Sequence, residues 1–162
     1  MLVLRRNSRG FTIAELITVI AIIGILAATT MPVARFGLRR QKEIELRTKL
    51  RRITDAIDRY HDIMTIPPTS PIRPAEMVAL GSEGYPKSLD DLVKGIKLND
   101  GRLTRFIRER DLIDPITGKK EWLTLSTSDD PDTQSSDGNN VYEVHSTSSA
   151  LSLDGKTRYN EW

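Results

Sequence analysis

The chain has 162 residues and a mass of 18.3 kDa, is 38% apolar, and carries 24 bases against 22 acids with no cysteine. Such a length supports one modest domain, and the missing thiols exclude a disulfide framework, a CxxC zinc site and a cysteine nucleophile. Three bases (Arg5, Arg6 and Arg9) and no acid fall in the first ten residues, so the remainder is near neutral and its charge gives no support for nucleic-acid binding.

The first element decides the broad class. Phe11 to Ala34 is a 24-residue run of apolar and small side chains, interrupted only by threonines, Pro32 and one acid, Glu15. As a helix it reaches about 36 Å, enough for a hydrocarbon core about 30 Å thick. A secretory signal peptide has a shorter apolar core with a small-residue cleavage site beyond it. Ala27-Ala28 is the one place where such a cut fits, and that reading leaves Gly10 and Glu15 without a role. Charge alone does not orient the segment, because Arg35, Arg39, Arg40 and Lys42 beyond the run balance the bases before it. A carboxylate inside a membrane segment costs a few kcal/mol, which makes Glu15 a functional residue with a partner to be named, unless it reaches water at the interface.

Beyond the run the helix pattern continues. Leu46, Leu50, Ile53, Ile57, Tyr60 and Met64 recur at spacings of three and four, the apolar face of an amphipathic helix over residues 35–64. Glu43 with Arg47, Glu45 with Lys49, and Asp55 with Arg59 are acid-first pairs four apart. From Phe11 to Met64 a continuous rod would measure about 80 Å. Pro32 removes an amide donor and Gly24 loosens the segment, which predicts a kink or local melting near residues 28–32.

Pro67, Pro68, Pro71 and Pro74 end the helix and favour an extended path into a small domain, residues 65–162. Ser88 followed by Asp91 predicts a short capped helix over about 89–95. The stretch RLTRFIRERDLI reads as a helical turn or two, and Asp114-Pro115 with Gly118 as a turn. EWLTL and VYEVHS read as strands, separated by SDDPDTQSSDGNN, a polar loop too long for a tight hairpin. Its acids, Asp129, Asp130, Asp132 and Asp137, read as a solvated flexible segment rather than a metal site. Asp154-Gly155 marks a last turn, and Trp162 is expected to pack back onto the sheet.

RGFTIAELITVIAIIGILAATTMP resembles the class III signal and N-terminal helix of type IV pilins and type II secretion pseudopilins. The likeness covers roughly the first 35 residues and rests on the basic leader, Gly10, Phe11, Glu15, Gly24 and Pro32. It implies a leader at residues 1–10, cut between Gly10 and Phe11 by a prepilin peptidase that also methylates the new amine. It implies an assembly helix over 11–34, with Glu15 paired to the Phe11 amine of a neighbouring subunit, the N-terminus cytoplasmic and the domain periplasmic. The order of YPKSLDDLV, DPITGKKEWL and VYEVHSTSSALSLDGKTRYNEW is similar to the C-terminal domain of the major, G-type pseudopilins. That likeness implies a possible calcium loop with oxygen ligands from Asp154, Asn160 and Glu161, although calcium takes six to eight ligands and Lys156 and Arg158 intrude. An ordinary Asp-Gly turn is the alternative.

Enzymatic readings find little. His61 and His145 have no clustered acids near them in sequence, and His61 reads as a surface residue. No Walker or dinucleotide glycine pattern occurs. The bases form no stripe interleaved with aromatics. The expected fold class is α+β, a long N-terminal helix packed on a small antiparallel sheet. The expected function is a non-enzymatic pseudopilin of a type II secretion system at the bacterial inner membrane. Its partners would be copies of itself, other pseudopilins, the prepilin peptidase and the inner-membrane assembly platform. A type IV pilus or competence pilin, and a membrane-anchored binding domain of another class, remain as alternatives.

Overall fold

The computed structural model describes residues 10–67, 69–70, 72–75, 82–130, 133 and 135–162. Most of the leader, Pro68, Pro71 and Asp132 therefore lie outside the described residues. The fold is α+β, with a long N-terminal helix and small antiparallel strand pairs, in the element order α1 (Ile13–Met64), α2 (Leu89–Lys94), β1 (Ile96–Lys97), β2 (Leu103–Thr104), β3 (Trp122–Leu125) and β4 (Glu143–Ser146). Short 3-10 turns follow β2 at Glu109–Leu112 and β4 at Tyr159–Glu161. The chain divides into two compact units, one ending at Arg39 and the other covering Arg40–Trp162.

In the first unit α1 begins at Ile13, because the Thr12 hydroxyl accepts the Glu15 N–H at 3.2 Å and so satisfies one of the donors that a helix start leaves open. The helix runs through Gly24 and Pro32 without interruption, so the local melting expected near residues 28–32 is not present in this conformation. A proline removes a single donor, and the helical turns on either side hold the backbone between them. The hydroxyls of Thr18 and Thr30 turn back onto the carbonyls of Ala14 and Leu26, each at 2.8 Å, which leaves these polar groups satisfied within the helix itself.

In the second unit the predicted apolar face of α1 is the one that is buried. Leu46, Ile53, Ala56 and Ile57 are fully inaccessible, and Leu50, Tyr60, Ile63 and Met64 flank them. Against this stripe pack Leu92 of α2, Ile96 of β1, Leu98, Phe106, Leu112, Val141 and Val144 of β4. Of the three predicted ion pairs along α1 only Glu45 with Lys49 forms, at 3.3 Å. Glu43 instead accepts the Leu153 N–H at 2.6 Å and the Tyr159 hydroxyl at 2.8 Å. Arg47 lies over the Trp162 ring at 4.2 Å, and Arg59 donates to the carbonyls of Asp55 and Phe106. Partly buried tertiary partners outcompete an exposed pair worth a few tenths of a kcal/mol.

The short capped helix forms as expected, with Asp91 accepting the Ser88 N–H at 3.0 Å. The expectation of helix across RLTRFIRERDLI is corrected in its first half. Leu103–Thr104 is strand β2, pairing with β1 through an Asn99-Asp100-Gly101 turn, and only Glu109–Leu112 is helical. Asp100 sets that turn by accepting the Arg102 N–H at 2.9 Å, and Asp-Gly between apolar runs is a hairpin signal that helical periodicity had overridden. Residues 72–75 lie beside this hairpin, with Pro74 bridging Leu98 and the Ala75 N–H donating to the Lys97 carbonyl.

Strands β3 and β4 pair antiparallel in the register Trp122 to Ser146. The Asp-Pro-x-x-Gly turn is tied to them from inside. Asp114 is fully buried, accepts the Ile116 N–H at 2.7 Å, and accepts the Ser146 hydroxyl of β4 at 2.6 Å. Trp162 does fold back, its indole N–H on Thr157 at 3.1 Å and its carbonyl oxygen 2.6 Å from His145 Nδ1 of β4. His61 is not a plain surface residue, since its ring stacks on Tyr85 with centroids 4.2 Å apart.

Gly95, between α2 and β1, has φ +81°, and a Cβ there would stand 2.2 Å from the Thr104 carbonyl oxygen of β2. Gly95→Ala is expected to destabilise the protein by about 3 kcal/mol or more. Gly118→Ala, with φ +74° and nothing within 4 Å of the added methyl, is expected to cost about 1 to 2 kcal/mol. Thermal unfolding of both variants in detergent checks the difference, and equal losses would contradict the Gly95 contact.

Candidate functional site

The start of α1 brings Gly10, Phe11, Thr12 and Glu15 into one short stretch. A Cβ on Gly10 would meet nothing within 4 Å, so packing within this chain does not require glycine there. Phe11 is 82% exposed. Glu15 lies in the first turn, where the partial positive charge of the helix N-terminus favours an acid. Its carboxylate makes no hydrogen bond or ion pair among the described residues. Thr12 is the residue that the sequence reading missed, and the Thr-x-x-Glu spacing was its signal.

The helix behind this stretch is bare. From Ile13 onward its large side chains, including Leu16, Ile20, Ile23 and Leu26, are about half exposed or more. The segment is long and apolar enough to cross a membrane, and none of its most apolar 18-residue window is buried within the protein. A Cβ on Gly24 would also meet nothing within 4 Å. Gly24 lies about two and a half turns beyond Glu15 along α1 and Pro32 about two turns further, so neither belongs to the Gly10 to Glu15 stretch.

The expected calcium ligands are engaged elsewhere. Asp154 accepts from the hydroxyls of Ser152 and Thr157 and from the N–H groups of Lys156 and Thr157, which holds its carboxyl well below the usual carboxylate range. Glu161 accepts the Arg158 N–H at 3.1 Å. Only the Asn160 side-chain oxygen is buried with no partner among the described residues. One free amide oxygen beside two engaged carboxylates does not fit an ion that takes six to eight oxygens. Among the described residues no group of three or more His, Asp or Glu side chains gathers to hold a metal. The local geometry is that of a side-chain-closed Asp-Gly turn.

The acid-rich β3–β4 connection, expected to be solvated and flexible, is internally bonded where it is described. Asp129 accepts the N–H groups of Ser126 and Asp137 at 2.7 and 3.1 Å. Asp137 accepts the Asn139 N–H at 2.9 Å and the Ser128 hydroxyl at 2.7 Å, and these donors hold its carboxyl at about 2. Because the folded value lies below the usual 3.8, this bonding is fully present above about pH 4 and is lost as the pH falls through about 2. The protection of the Asn139 amide, the ratio of its intrinsic to its observed exchange rate at each pH, is expected to fall several-fold across that window and to be level above it, and Asp137→Asn is expected to show the lower protection at neutral pH. Protection that is level from pH 6 to 2 would contradict the network.

No curated protein and no solved structure significantly matches the chain. Residues 5–31 match the family model described as the prokaryotic N-terminal methylation motif. That span contains Gly10, Phe11, Glu15 and Gly24, the residues that the start of α1 leaves exposed or free of packing. The chain thus carries the N-terminal processing signal of type IV pilin-like proteins.

Proposed function

We propose that the chain is a structural pseudopilin subunit of a type II protein secretion system. Prepilin peptidase cuts between Gly10 and Phe11 and methylates the Phe11 amine. The processed subunit then leaves the inner membrane and stacks helically into a periplasmic filament that helps to export folded proteins. The observation that carries this reading is the Glu15 carboxylate, unpaired among the described residues, one turn behind the Gly10-Phe11 junction on an uncovered apolar helix. In lipid an isolated carboxylate and an isolated amine each cost a few kcal/mol, and pairing Glu15 of one subunit with the Phe11 amine of the next removes both charges. Lipid supplies no hydrophobic drive between apolar helices, so such a pair also fixes their axial register. The small domain, closed by the buried Asp114 turn without any cysteine, supports a secretion pseudopilin over the pilus subunits that use a cysteine pair there.

N-terminal peptide analysis of protein recovered from membranes is expected to find a chain starting at N-methylated Phe11. A start at Met1, or one after Ala28, would remove the proposal. Deletion of the gene is expected to stop release of exported proteins, whereas loss of surface filaments or of DNA uptake with export intact would assign the subunit to a pilus instead. Glu15→Gln is expected to be processed normally, because the peptidase acts on the backbone at Gly10, but to lower cross-linked multimers at least about tenfold, the equivalent of roughly 1.4 kcal/mol per contact. Wild-type multimer yield from that variant would leave Glu15 without its assembly role.

A further inference from the structure

Within the unit Arg40–Trp162 a groove of about 950 Å3 lies between the α1 face bearing Arg52 and Arg59 and the segment that runs from Val93 to Asp111. Six of the side chains lining it are bases and three are acids. Two of these acids are already answered, Asp111 by Arg52 at 3.3 Å and Glu109 by Lys120 from outside the groove. Two of the bases are also engaged, Arg59 on backbone carbonyls and Lys94 on Asp91. Arg105, Arg108 and Arg110 remain. All three are exposed and make no hydrogen bond or ion pair among the described residues.

Three unpaired guanidinium groups along one wall form a surface for carboxylates, because the planar donor fork of arginine matches the two oxygens of an acid. The complementary charge is on the same chain. The β3–β4 connection, residues 126–142, contains four aspartates and no base. Of its described acids, Asp129 and Asp137 are held in their ionised form by donors of their own loop, so the loop keeps its negative charge at any pH near neutral. Asp130, between them, is exposed and has a partner of its own, and it adds to the charge of the loop.

We propose that the Arg105, Arg108 and Arg110 groove receives the acidic β3–β4 loop of a second copy of this chain. The inference rests on the filament reading above and adds the contact between the globular units of neighbouring subunits. Two different patches of one chain that bind each other make a heterologous contact, which propagates along a helix instead of closing as a dimer. Exposed charge pairs of this kind set register and exclude wrong neighbours more than they add affinity. They therefore complement an apolar helix bundle that has little register of its own.

The test uses the full-length chain in membranes, with the multimer ladder read after amine cross-linking. Reversal at the groove (Arg105→Glu, Arg108→Glu and Arg110→Glu together) and reversal at the loop (Asp130→Arg) are each expected to lower the ladder at least about fivefold through like-charge contact. Both reversals in one chain are expected to restore at least about half of it, which a merely misfolded variant would not do. Because the native chain has no cysteine, Arg110→Cys with Asp130→Cys is expected to give an oxidised multimer ladder that neither single variant gives. Charge reversals that leave the ladder intact, or no disulfide from the pair while processing at Phe11 and the ladder are wild type, would overturn this contact and leave the filament reading standing. An unprocessed wild-type chain with no ladder would overturn both.

Discussion

Burial of a single stripe of α1 is the interaction on which the rest of the second unit depends. Leu46, Ile53, Ala56 and Ile57 are completely inaccessible, and α2, β1, the Glu109–Leu112 turn, β3 and β4 each place an apolar side chain in the cluster built on this stripe. The strands are only two to four residues long and occur as two separate pairs. Two-stranded ribbons of that length are marginal alone in water, so the helix serves as the surface on which they become stable. Its preceding segment has no such cover, and there the same helical geometry satisfies the backbone internally, as a chain in lipid must.

Polar side chains then fix what apolar burial leaves free. Hydrophobic contact is non-directional and would allow the C-terminal segment several positions along α1. Glu43 removes that freedom by accepting from both Leu153 and Tyr159, and Arg47 adds a guanidinium face on Trp162. Asp114 does the same for the Asp-Pro-x-x-Gly turn, its buried carboxylate divided between that turn and Ser146 of β4. In the proposed filament, rigidity of this kind matters because a subunit must present its charged surfaces to its neighbours at a fixed height.

Elements whose signal is local were legible beforehand. The start of the long helix, the amphipathic stripe of α1, the Ser88 cap and strands β3 and β4 each follow from a periodicity or a spacing of a few residues, and the structure has them within a residue or two. The β1–β2 hairpin was hidden because Leu103, Phe106 and Ile107 also fit a helical spacing, while its Asp-Gly turn is a two-residue signal. The fates of Glu43, Arg47 and Arg59 were not legible, because each leaves an adequate local partner for one brought close only by folding.

By itself, the sequence determined the membrane-length helix, the methylation-motif signal within residues 5–31, the acid at Glu15 and the α+β class. Each of these is written in consecutive residues, and lipid thickness, peptide geometry and side-chain charge do not depend on the rest of the chain. Only the tertiary structure decided that the Glu43 carboxylate is spent on Leu153 and Tyr159. It likewise decided that Asp114 is buried and that Arg105, Arg108 and Arg110 are left without partners among the described residues. Those outcomes depend on which donors and acceptors arrive from distant parts of the chain, and a hydrogen bond or ion pair is settled by distance in space rather than along the sequence.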